Sequence, residues 1–100
     1  MSYITEFPDY DDDLYRPDGW QDQSWHNDTC PHIEKRIDTT DTEIAVKVWQ
    51  DYKDKTLREL DFGKRYSFII EVNGFYVFSY ETDDLEKIKE LMEHVDIDRS

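Results

Sequence analysis

The stretch Tyr66-Ser67-Phe68-Ile69-Ile70-Glu71-Val72-Asn73-Gly74-Phe75-Tyr76-Val77-Phe78-Ser79-Tyr80-Glu81 decides the fold. Two runs rich in β-branched and aromatic residues flank Asn73-Gly74, a pair that tolerates the positive φ angles of a type I′ turn. The pattern predicts a β-hairpin with strands over 65–72 and 75–81. Both of its faces are apolar. Tyr66, Phe68, Ile70 and Val72 point one way and Ile69 the other; Phe75 and Val77 oppose Tyr76, Phe78 and Tyr80. A two-stranded hairpin alone is marginal in water, so more structure must cover it.

The cover is sought on both sides of the hairpin. Downstream, Leu85, Ile88, Leu91, Met92 and Val95 form one apolar stripe at helical spacing, which predicts a helix over 83–95. Thr82 or Asp83 can cap it, and Asp83, Asp84 and Glu86 suit its positive end. Upstream, Ile44, Val46 and Val48 alternate with Ala45 and Lys47, which favours a third strand over 43–51. The alternative is a helix over 41–60. Thr40 and Glu43 can form a capping box, and Glu43/Lys47, Asp51/Lys55 and Asp54/Arg58 are acid-before-base pairs four residues apart.

Residues 1–30 hold eight acids and a single base, Arg16, for a net charge of −7; the remaining 70 residues carry −6 of the total −13. Pro8, Pro17 and Pro31 interrupt the arm over 1–40, and it shows neither helical nor strand period. Tyr3, Phe7, Tyr10, Tyr15, Trp20 and Trp25 argue against free disorder. The expected class is therefore α+β, a single domain over 1–100. A three-stranded antiparallel sheet carries the C-terminal helix on one face. An extended acidic, aromatic arm over 1–40 covers the other, with Trp20 and Trp25 packed back on the sheet. If 41–60 is helical, the order is instead α-β-β-α.

Composition bounds the function. Hydrophobic residues are 37% of the chain, below the usual share of about 45–50%. The aromatic share of 15% compensates, because such side chains bury large areas. A net charge of −13 repels nucleic acid and anionic membranes. No N-terminal apolar run has signal-peptide length, and no stretch approaches a membrane span. One cysteine, Cys30, permits no intrachain disulfide. These features lead to the expectation of a cytoplasmic protein.

Few residues suggest chemistry. His26, Cys30 and His32 could bind zinc or form a Cys–His site, but no second cysteine supports them, and a turn with a small buried Cys is the favoured reading of the cluster. Gly19, Gly63 and Gly74 lie too far apart for a phosphate loop. Asp9-Tyr10-Asp11-Asp12-Asp13 lacks the spaced ligands of a calcium loop. No cofactor and no enzymatic activity are expected.

The charge itself remains. Carboxylates on alternate strand residues lie about 6.6–6.8 Å apart, and helix neighbours about 5–6 Å apart at Cβ, both on the scale of successive phosphates. A rigid acidic surface can occupy a Lys/Arg groove built for nucleic acid, with interleaved Tyr and Trp as anchors. The expected binding patches are Asp9, Tyr10, Asp11, Asp12, Asp13, Tyr15, Asp18, Trp20 and Asp22 in the arm, and Asp83, Asp84, Glu86, Glu90 and Glu93 on the helix. Reversing Asp11, Asp12 and Asp13 to Lys is expected to weaken binding far more than melting. In size, acidity and aromatic content the chain is similar to small acidic inhibitors made by phages and mobile elements, such as anti-CRISPR and anti-restriction proteins. The resemblance implies a non-enzymatic inhibitor of a basic nucleic-acid-binding protein, acting in the host cytoplasm. The rivals are an immunity protein neutralising a nuclease toxin, and a small metal-binding protein or Cys/His enzyme using His26, Cys30 and His32.

Overall fold

The computed structural model describes residues 2–58, 60 and 63–97. The elements are α1 (Tyr3–Glu6), β1 (Gln21–Asp22), β2 (His32–Arg36), β3 (Ile44–Gln50), a 3-10 turn (Lys55–Leu57), β4 (Tyr66–Val72), β5 (Phe75–Thr82) and α2 (Leu85–Ile97). The five strands form one antiparallel meander in the order β1-β2-β3-β4-β5. The fold is thus α+β, but the expected three-stranded sheet is corrected to five strands. The two extra strands come from the segment read as irregular.

The hairpin forms as its sequence dictates. Asn73 and Gly74 take φ of 51° and 84°, and Val72 pairs with Phe75 across the turn. Asn73 also exchanges bonds with the chain entering β3: its amide donates to the Glu43 carbonyl at 2.7 Å, and its side chain accepts from the Glu43 amide at 2.9 Å. Pairing is interrupted at Val77, a bulge residue between the Ile70–Phe78 and Glu71–Tyr76 pairs.

The segment over 41–60 is not a helix. It gives β3 and then a loop organised by Asp51, whose side chain is fully buried. Its carboxylate accepts the amides of Tyr52 and Leu60, both at 2.8 Å. The acid-base spacings that mimic a helix lie here partly on a strand and partly on this loop. The alternating β-branched residues prevail because both valines are buried: Val48 between Ile33 and Phe68, and Val46 between Lys35 and Ile70, on the neighbouring strands.

The helix begins two residues later than the expected 83. Asp84, rather than Thr82 or Asp83, is its N-cap, and its carboxylate accepts the Glu86 amide at 3.0 Å. The apolar stripe faces inward as read, with Ile88 and Met92 buried and Leu85, Leu91 and Val95 partly so.

The arm does not cover the opposite face of the sheet. Trp20 joins Ile33, Val46, Val48, Tyr66, Phe68, Ile88 and Met92 in one core, and Leu14 and Tyr15 pack against it. The arm and α2 therefore share a face, the arm lying against β2 and β3. The opposite face carries its own cover. Lys47 reaches Glu71 at 3.3 Å and Glu34 at 3.9 Å, and the buried His32 stacks on Trp49 with ring centroids 4.0 Å apart. That face is polar because β2 brings Glu34 and His32 to it. A sheet built from the hairpin and β3 alone lacks both.

Candidate functional site

The acidic arm is anchored residue by residue. At its start, the Tyr3 amide donates to the Asp22 carboxylate at 2.7 Å, and Ser24 donates to the same group at 3.0 Å. Glu6 accepts both the amide and the ring nitrogen of His26, at 3.1 and 2.9 Å. The His26 side-chain bond, reinforced by its amide, holds the Glu6 carboxyl below its ordinary value. At Pro17–Trp20 a turn closes through the Trp20 amide and the Pro17 carbonyl at 3.2 Å, with Gly19 at φ 89°. That turn aims Trp20 into the core, where it is 1% exposed. Trp20 is thus no surface anchor for a partner, contrary to its expected role.

The run Asp9–Asp13 is mostly spent on the protein itself. Asp9 accepts the Tyr52 hydroxyl at 2.9 Å. Asp11 bridges the amides of Lys53 and Asp54, each at 2.8 Å. Desolvation raises the Asp11 pKa, but these amide bonds outweigh it, so the carboxyl sits below its ordinary value. Asp12 pairs with the Arg65 guanidinium at 2.9 Å, which holds it below the ordinary carboxylate range. Tyr10 packs edge-on between Tyr3 and Tyr52, with centroids 5.8 and 5.4 Å away. Its hydroxyl donates to the Asp51 carbonyl at 3.3 Å, and burial pushes the phenol pKa up. The Tyr15 backbone exchanges two bonds with the Gln50 side chain, at 2.8 and 2.7 Å.

Arg65 is the residue that sequence reasoning missed. Its guanidinium donates to Asp12, to the Tyr10 hydroxyl at 3.4 Å and to the Asp51 carbonyl at 3.0 Å. Its amide donates to Asp83 at 2.9 Å, and Asp83 also meets Arg58 at 3.2 Å. One residue thus joins the arm patch to the start of the helix patch. An isolated Arg at the head of a predicted strand carries no signal of such a role in the sequence.

What remains open is a smaller acidic layer. Asp13 and Asp18 on the arm are exposed, as are Asp84, Glu86, Glu90 and Glu93 around α2. Lys89 lies over the Tyr15 ring at 5.0 Å and so ties α2 to the arm. The two expected patches therefore belong to one layer on one face of the sheet.

The His26, Cys30 and His32 cluster does not converge. His26 is exposed and bonded to Glu6, while Cys30 and His32 are buried. Burial, aided by Lys47, holds the His32 pKa down to about 4. His32 is therefore neutral near pH 7, and its 3.8 Å approach to Asp28 is no ion pair there. Among the described residues, no three His, Cys, Asp or Glu side chains gather to hold a metal ion. No helix among them is long and apolar enough to cross a membrane. In comparisons with known proteins, the chain matches no family model, no curated protein and no solved structure.

Proposed function

We propose that the protein is a non-enzymatic acidic inhibitor, which binds the basic nucleic-acid groove of a nuclease or similar protein in the cytoplasm. The observation that carries this reading is the single acidic layer formed by the arm and α2. Asp13, Asp18, Glu86, Glu90 and Glu93 stand on a scaffold fixed by Arg65, Asp11 and the Gln50–Tyr15 bonds. Carboxylates on a fixed backbone lose less conformational freedom on binding than those of a flexible acidic tail, which favours this surface. A field of this sign also steers the protein toward a Lys/Arg-lined groove, and salt weakens the encounter.

The test is capture of partners from host lysate, followed by competition with added DNA or RNA. Basic nucleic-acid-binding proteins released by competing nucleic acid support the reading. The decisive variant reverses Asp13, Asp18, Glu86, Glu90 and Glu93 to Lys. Binding should fall by about tenfold or more, with cooperative melting retained. Undiminished capture by that variant at low salt sinks the proposal. Asp11 and Asp12 are excluded from the variant because their carboxylates hold the arm in place.

A further inference from the structure

The least explained surface is the outer strand β5. Among the described residues, β5 pairs only with β4 and forms one outer edge of the sheet, while β1 forms the other. Along β5, Phe75 is 74% exposed, Tyr76 73%, Val77 59%, Phe78 43% and Tyr80 40%. Edge strands are normally protected by Lys, Pro, shortness or a covering element. β5 is eight residues long, contains neither Lys nor Pro, and has a single charge, Glu81. The bulge at Val77 precedes an uninterrupted stretch over 78–82. Beside it, Phe78, Leu91 and Val95 border an apolar cleft of about 210 Å³.

We infer that β5 is a self-association edge, on which a second copy of this chain pairs its own β5 antiparallel across a two-fold axis. The inference is independent of the acidic-layer reading. Two arguments select a second copy as the occupant. The first is area. At the exposures given, the four aromatics and Val77 present on the order of 500 Å², so two copies bring up to about 1,000 Å² of apolar surface to the seam, the lower bound for a specific interface. An antiparallel edge is also complementary to itself, as a two-fold interface requires. The second argument is charge placement. β5 carries a single charge, Glu81, so two copies can meet along it with little like charge in the contact itself.

Opposite salt responses separate this association from partner binding. Two copies of −13 repel, so added salt strengthens self-association, whereas it weakens capture of a basic partner. The test is sedimentation velocity across the micromolar range, at low and high salt. The expected result is a species of twice the 12.2 kDa chain mass, more populated at high salt. The variant V77K/S79K places two lysines at exposed positions of the edge and should be monomeric with an unchanged melting temperature. A wild-type chain that stays monomeric in every condition overturns the inference. So does a dimer that V77K/S79K leaves intact, or one that salt dissociates.

Discussion

The acidic arm and the β5 edge use their side chains in opposite ways. Along the arm, groups that look like free surface charge are internal fasteners: Asp9 holds Tyr52, Asp11 holds the Lys53 and Asp54 amides, Asp12 holds Arg65 and Asp22 holds Tyr3. At the β5 edge, groups that look like core, Phe75, Tyr76 and Val77, stand in solvent. Counting charges therefore overstates the acidic surface available to a partner, and counting aromatics overstates the core. The same hydrogen-bonding need explains the first half. A segment with little regular structure must still satisfy its own backbone and the loops beside it, and short acidic side chains do so well.

The contrast can be broken by mutation. The largest effect is expected from Asp51→Ala, which strips two amides of their acceptor beneath the arm and should cost about 2–4 kcal/mol. Denaturant unfolding measures it, and a loss under about 0.5 kcal/mol, the range of ordinary surface changes, would show that the loop does not depend on this residue.

Next is a pH effect centred on His32. The folded value is about 4, against an ordinary 6.5 in the unfolded chain. Between those values the unfolded state binds a proton that the folded state refuses. Stability therefore rises with pH through that window and is lost as pH falls from 6.5 toward 4, by about 1–3 kcal/mol. Melting curves across the window should show this slope, and His32→Gln should flatten it. Asp12, whose value is depressed by Arg65, contributes stability above its unfolded value near 3.8, and loses it only below that pH.

Smaller still, Asp11→Ala and Asp12→Ala should each cost about 1 kcal/mol, a figure already discounted for their exposure to solvent. Asp13→Ala should cost nothing measurable. Equal effects at all three positions would mean that the run acts only as bulk charge. Tyr76→Lys on the β5 edge should likewise change stability little, within about 0.5 kcal/mol.

The sequence made the local features legible. Asn73-Gly74 fixes its turn through backbone conformation alone, and the Leu85–Val95 stripe needs only its own period. β3 was legible through Ile44, Val46 and Val48. β2 was not: His32-Ile33-Glu34-Lys35-Arg36 has one apolar residue and becomes a strand by pairing with Lys47, Val48 and their neighbours. β1 is two residues long and exists only because β2 does. The face chosen by the arm was hidden for the same reason, since Trp20 packs on a core that includes Ile33 of the unforeseen strand. Within the candidate site, the acidic residues were found by composition. Their division into fasteners and open surface depends on Arg65, Tyr52 and the 53–54 amides, which lie about 40 to 50 residues away along the chain.

Amide hydrogen exchange tests the central claim most directly, because it reads the arm and the β5 edge at once. The Tyr3, Tyr15, Lys53 and Asp54 amides should be protected at every protein concentration, as their acceptors lie within the folded chain. Amides of β5 that do not face β4 should exchange quickly in dilute protein and slow as concentration and salt rise. Rapid exchange at Lys53, Asp54 and Tyr15 under native conditions would contradict the account, because the acidic arm would then be a loose tail and its carboxylates free surface after all.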